Sequence, residues 1–257
     1  RIVEPASAAP GRTANVPAGL AGANVLGSVS AFRDVGVQVY DWFRRESWEY
    51  AYAVMVGNGH GINTVGDDNS DKDVTVRLQT SYIFGGGGPR REDITAYVWH
   101  QEGKRTFGNR DYDRRREGIG ANYLRGGWRI GAEYLRGAGM IFAGPNPPFN
   151  DAGAPAFQPL NTVGLDTGNK ADGWYLDVGW RFLPKWELDL RYDEFDRLTS
   201  SAANERKFVT WTLGAQYFIN PKARVAFNYE VREQQVVNPG ALTPAFARTN
   251  AEAIANS

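Results

Sequence analysis

From Trp186 to Phe195 the chain reads WELDLRYDEF, with Trp, Leu, Leu and Tyr at every second position and Glu, Asp, Arg and Asp between them. Side chains of a pleated strand leave alternately on opposite faces, so this period of two predicts a strand with one apolar and one charged side. Comparable alternation predicts ten strands, over 34–42, 48–57, 74–84, 94–101, 116–124, 128–136, 174–182, 186–195, 208–218 and 224–232. No amphipathic helical pattern intervenes, and the predicted class is all-β.

The connections alternate in length. Short ones fall at 43–47, 85–93, 125–127, 183–185 and 219–223; long ones fall at 58–73, 102–115, 137–173, 196–207 and after Arg232. An up-and-down transmembrane β-barrel has this rhythm, with tight periplasmic turns and longer outer loops, whereas a Greek-key sandwich has no reason to keep it. Aromatic residues flank the short connections: Trp42, Phe43 and Trp48; Tyr82 and Phe84; Tyr123 and Trp128; Phe182 and Trp186; Tyr217 and Phe218. Rings with an apolar body and a polar tip favour a membrane interface, so this recurrence predicts a girdle. About ten residues at about 3.3 Å each, tilted about 45°, cover about 23 Å, close to the apolar band of about 25 Å in such barrels.

Sorting by parity puts Val35, Val37, Val39, Trp48 to Val56 in steps of two, Val74, Val76, Leu78, Tyr134, Leu176, Val178, Leu188, Leu190, Trp211, Leu213, Phe227 and Tyr229 on the lipid side, without a charge. The opposite side holds the candidate pore lining: Arg77, Arg129, Glu133, Asp177, Arg181, Glu187, Asp189, Arg191, Asp193, Arg224, Glu230 and Arg232, joined by Glu49, Gln79, Gln216 and Asn228. An unpaired charge facing lipid at mid-depth costs about 2 to 4 kcal/mol, which is why these belong to a watery interior. The segment 94–101 is ambiguous, because Tyr97 and Trp99 fall opposite Ile94, Ala96 and Val98. Across Leu183, Pro184 and Lys185 a three-residue turn pairs Phe182 with Trp186, Trp180 with Leu188 and Val178 with Leu190. It also sets Arg181 against Glu187 and Asp177 against Arg191 as opposite-charge pairs.

Composition narrows the chemistry. The 257 residues carry no formal net charge, no Cys and two His, which excludes a disulfide framework and thiolate catalysis and argues against a nucleic-acid surface. No apolar run approaches the roughly 18 residues of a membrane helix. The Gly85 to Gly88 run lacks the Lys and Ser/Thr of a phosphate-cradling loop. The acidic stretch Asp67 to Asp73 lacks the Gly and distal Glu of a helix-loop-helix Ca²⁺ site and reads as a solvated loop. His60 and His100 have no Ser and acid at recognisable spacing, so no enzyme, metal or cofactor is expected.

Three segments, WEYAYAVMVGNGHG (Trp48 to Gly61), GWYLDVGWRF (Gly173 to Phe182) and YFINPKARVAFNYE (Tyr217 to Glu230), resemble the phosphate-selective porin O and P family of Gram-negative outer membranes. The resemblance extends from about Asp34 to Arg232. It implies a sixteen-stranded barrel in the outer membrane, commonly a homotrimer, that passes small anions or other small hydrophilic solutes passively. Only ten strands are predicted here and the tail from Val237 to Ser257 is polar and Ala-rich, so the chain reads as a fragment of a larger barrel. Residues 1–33 and 233–257 are expected as extracellular loop or tail around the strands of 34–232. Phosphate selectivity is not transferred, because the inward set balances six Arg against seven carboxylates and electrostatic selectivity needs a lining of one sign. The expectation is a porin for small hydrophilic solutes or ions in contact with outer-membrane lipid. The alternative is a barrel acting as sheath or anchor for an electron-transfer or surface-layer partner.

Overall fold

The computed structural model describes residues 34–59, 70–86, 91–107, 110–139, 141–142, 163–164, 168–220 and 223–241. Ten strands form one antiparallel sheet: β1 (Gly36–Arg45), β2 (Trp48–Gly57), β3 (Asp73–Gly85), β4 (Glu92–Phe107), β5 (Arg110–Arg125), β6 (Trp128–Ala138), β9 (Lys170–Leu183), β10 (Trp186–Arg197), β11 (Arg206–Asn220) and β12 (Ala223–Val236). Two short strands, β7 (Ile141–Phe142) and β8 (Val163–Gly164), pair with each other inside the long β6–β9 connection. Every neighbour in the ten-stranded sheet is also the neighbour in sequence among those ten, so the sheet is a pure up-and-down meander, with β1 and β12 at its edges. All ten predicted strands are present.

The asymmetry of the connections follows local chemistry. Gly126 and Gly127, both at positive φ (56° and 88°), close the β5–β6 hairpin as the two-residue turn whose twist matches its strands. Glu46 at φ 55° does similar work between β1 and β2. The β9–β10 turn is tighter than the sequence suggests: Leu183 opposes Trp186, leaving only Pro184 and Lys185 in the turn. A bulge between Trp186 and Leu188 absorbs the one-residue slip and restores the predicted partners Trp180–Leu188, Val178–Leu190 and Asp177–Arg191.

The connection predicted at 102–115 is instead ladder. β4 and β5 run on as 16-residue strands, paired as far as Phe107 and Arg110. Apolar alternation stops at about Gln101 because the hairpin has left the apolar layer for water, but backbone pairing needs no apolar face and continues. Its root is fastened by a buried ion pair between Arg114 and Asp73, with Gln101 Nε2 donating to Asp73 at 3.2 Å and Arg114 to the Gly59 carbonyl at 3.3 Å. Asp73, predicted to close an acidic loop, is therefore a buried strand residue; the other end of that stretch lies outside the described residues.

The sheet has almost no conventional core, because its large apolar side chains are turned outward. Val37, Leu78, Ile119, Leu190, Leu213, Phe227 and Tyr229 are all exposed. That is the inverse of a water-soluble sheet and the arrangement expected when lipid is the solvent of the outer face. At the short-turn end, ring contacts run Trp48–Tyr82–Phe84–Tyr123 and Trp128–Trp180–Phe182, with centroids 5.1 to 6.1 Å apart. Toward the other end Trp174, Tyr192 and Trp211 form a second row at 4.9 and 4.7 Å. Charges on the outer face resume beyond this row, as in the Lys207–Glu194 pair at 2.7 Å and the Arg136–Glu117 pair at 3.7 Å. The apolar band is thus bounded by aromatic rows, the pattern of an interfacial girdle.

Candidate functional site

The face opposite the apolar band carries the ion pairs and ring stacks. Its densest group surrounds Arg129 on β6, one residue beyond the Gly126–Gly127 turn and its Trp128 flank. The guanidinium donates to Asp177 on β9 and to Glu187 and Asp189 on β10, at 3.3 Å and 2.5 Å for the latter two. Gln216 on β11 donates to the other Asp189 oxygen at 2.5 Å. Gly179 lies between these groups in the register Arg129–Gly179–Asp189. A Cβ at Gly179 would stand 2.8 Å from Arg129 Nη2 and 2.9 Å from both Asp189 Oδ1 and Glu187 Oε1, so a larger residue there would push these side-chain ends apart. The planar five-donor guanidinium suits such bridging in a way an ammonium does not.

A second group sits at mid-height. Trp99 Nε1 on β4 donates to Glu133 Oε1 on β6 at 2.7 Å, and Tyr175 Oη on β9 donates to Glu133 Oε2 at 3.2 Å. Arg77 lies over the Tyr97 ring at 3.9 Å and Arg191 over the Tyr175 ring at 4.0 Å. Arg77 also donates to Gln79 at 3.2 Å, and Arg191 grips Asp193 through Nε and Nη2, the latter at 2.5 Å. Tyr97 is buried while Ile94 and Val98 are exposed, which settles the ambiguous segment: Ile94, Ala96 and Val98 face outward, and Tyr97 and Trp99 inward.

The remaining predicted residues fall on the same face. Arg181 stacks over Phe218 at 4.1 Å, Arg232 pairs with Glu230 two residues earlier on β12, and Arg224 is exposed at the short-turn end of that strand. The predicted cross-strand ion pairs give way to diagonal contacts of Arg129, a pair along β10 and a ring stack of Arg181. The bulge takes Glu187 out of register with Arg181, and Glu187 serves Arg129 instead. Asp177 and Arg191 are Cα partners, as predicted, yet Asp177 pairs with Arg129 and Arg191 with Asp193.

Sequence reasoning left Tyr97 and Trp99 ambiguous and missed Tyr175 and four arginines. Tyr97, Trp99 and Tyr175 are aromatic by composition and polar by function, each presenting a donor or a ring face to a charge. Near the short turns Arg91, outside any strand, bridges Glu49 at 2.8 Å and Asp93 at 2.6 Å. At the other end, the strand extensions add Arg114, Arg116 and Arg197 to this face, all buried. Arg116 spends its donors on the carbonyls of Arg115, Ala138 and Gly139 at 2.8 to 3.0 Å, holding the root of the β6–β9 connection. Beside it Ile141 of β7 packs with Ala171, Leu198 and Phe195, so that this connection turns onto the polar face at its root.

A sheet with one lipid-type face and one charged, laterally braced face is a wall between lipid and water. Residues 109–245, more than half of the chain, match the family model for phosphate-selective porin O and P. The chain belongs to this family. Membership identifies the wall as part of a transmembrane β-barrel in the outer membrane of a Gram-negative bacterium. A solved structure, the anion-selective porin from Comamonas acidovorans, is similar over 77% of this chain and 48% of that one, at 13% identity and a TM-score of 0.48. This chain therefore spans about half the length of that porin. No curated protein matches the chain.

Proposed function

We propose that this porin-family chain forms part of the wall of a water-filled barrel that passes small hydrophilic solutes or ions by passive diffusion. The observation that carries the reading is the contrast between the two faces of one continuous meander. The outer face is apolar between two aromatic rows, and the inner face holds Arg129, Arg191, Arg232 and their carboxylates in lateral pairs. Charges fixed in this way stay against the wall, hold water and leave the lumen open. Arg77, Arg129, Glu133, Asp177, Arg181, Glu187, Asp189, Arg191, Asp193, Arg224, Glu230 and Arg232 line the passage in this reading.

The meander leaves β1 and β12 as edges, and an open edge in a bilayer strands backbone donors and acceptors without water. Further strands complete the barrel in this reading, and the assembly is an oligomer. The test is reconstitution of the full-length protein into planar bilayers, where stepwise, ohmic conductance is expected. A folded barrel with no conductance would sink the reading and favour a plugged barrel that anchors a partner.

A further inference from the structure

Register puts two rings of β1 on the inner face. Val37 and Val39 pair with Val56 and Val54 of the outward series, so Tyr40 and Trp42 stand in the opposite phase, as Cα partners of Ala53 and Ala51. Trp42, expected in the interfacial girdle, therefore faces the lumen together with Tyr40. Both rings are open to it. Tyr40 is 70% exposed and Trp42 63%, whereas Tyr97, farther along the row of Trp42, is 7% exposed with Arg77 over its ring. An uncovered ring on a water-filled side keeps apolar area that a stacked ligand can bury.

The two rows continue across β2 to β3 as Tyr40–Ala53–Arg77 and Trp42–Ala51–Gln79. Each alanine reaches one carbon off β2, so the wall is recessed between the rings on β1 and the polar heads on β3, which stand two strand spacings, about 10 Å, apart. The recess has a methyl floor, an aromatic side and a cationic side. Arg77 donates to Gln79 Oε1 at 3.2 Å and, unlike Arg129, Arg191 and Arg232, has no carboxylate at ion-pair distance among the described residues. Its planar fork suits a carboxylate, and the Gln79 amide nitrogen adds a neutral donor beside it. Apolar walls with a few convergent donors are the make-up of a small-molecule site.

We propose that Tyr40, Trp42, Ala51, Ala53, Arg77 and Gln79 form a lumen site for an aromatic carboxylate, with the solute's ring on Tyr40 and Trp42 above the alanine floor and its carboxylate on Arg77. The site names a solute class for the passage and rests on the porin reading.

The test is block of the KCl current through the full-length protein in planar bilayers, each variant measured against its own ligand-free current. Benzoate is expected to block at about tenfold lower concentration than acetate, which has the charge without the ring, or benzamide, which has the ring without the charge. Trp42→Leu should raise the half-blocking concentration of benzoate about fivefold while leaving that of acetate in place, and Arg77→Gln should raise it about tenfold. Trp180→Leu, the same exchange on the outer face, should keep the block. Equal block by benzoate and acetate overturns the proposal, and so does equal loss of block in Trp42→Leu and Trp180→Leu. A protein that conducts KCl and ignores benzoate has lost the site but kept the porin reading. A folded barrel that conducts nothing loses both.

Discussion

The indole of Trp99 reaches across a whole strand to bond Glu133, its Nε1 lying 2.7 Å from the carboxylate with Gly118 of β5 beneath it. A Cβ on Gly118 would stand 2.5 Å from that nitrogen, and one on Gly120 would stand 2.5 Å from the Tyr97 ring. Two missing side chains on β5 thus let two rings lie flat against the inner wall. The ring area is buried on the wall, and the Trp99 donor is spent on a charge.

Gly118→Val is accordingly expected to destabilise the folded barrel by about 1 to 3 kcal/mol, because the indole must leave its bed and Glu133 loses a donor. Gly85, where a Cβ meets nothing within 4 Å, is the control, and Gly85→Ala is expected to be nearly neutral. Urea titration of refolding into detergent micelles or vesicles reads both. Equal midpoints for the two variants would show that the indole does not lie on β5.

Arg129 is one cation among three carboxylates, and removing it leaves those three facing each other. Arg129→Met is expected to cost about 2 kcal/mol of barrel stability, below the 3 to 5 kcal/mol of a fully buried pair because the Arg129 side chain is 42% exposed. Part of the loss should return in about 1 M salt, where the Debye length falls to about 3 Å. Arg129→Lys is expected to fall between, since one ammonium cannot bridge all three acids at once. A loss independent of salt would assign the effect to packing alone.

Strand number, strand phase and the sense of both faces were legible because alternation is a direct imprint of the pleat, as at Leu188, Leu190, Glu187 and Asp189. The pairing of charges was not. Register names Cα partners, but Arg129 spans several strands with one fork, and a bulge beside a two-residue turn moved Glu187 away from Arg181. Tyr97 and Trp99 were ambiguous because hydropathy counts an inward ring as apolar; the readable clue was Gly118 and Gly120 at inward positions on the neighbouring strand.

The lipid face can be tested against the inner face on adjacent residues. Leu190→Arg puts a cation into the apolar band beside Val178 and Leu213 and is expected to cost about 2 to 4 kcal/mol of membrane folding. Asp189→Asn keeps an acceptor for Gln216 and leaves Arg129 with Asp177 and Glu187, so its cost should stay near 1 kcal/mol. Fluorescence-monitored folding into vesicles compares them. Equal costs would mean that the faces of β10 are exchanged.

Selectivity turns on which inner charges are unanswered. Arg129, Arg191 and Arg232 each have a carboxylate in contact, whereas Arg77 has the Tyr97 ring and the Gln79 amide, with no carboxylate at ion-pair distance among the described residues. A paired cation contributes little field to the lumen; an unanswered one acts on a passing ion about 8 Å away with about 0.5 kcal/mol even in water, a factor of about two in local ion concentration. Arg77→Gln should therefore move the reversal potential in a salt gradient toward cation preference with nearly unchanged single-channel amplitude. Arg232→Gln, which unmasks Glu230, should move it the same way. Asp193→Asn, which frees Arg191, should move it oppositely. A common direction for all three variants would mean that the lumen does not sense these side chains individually, and that selectivity is set elsewhere along the passage.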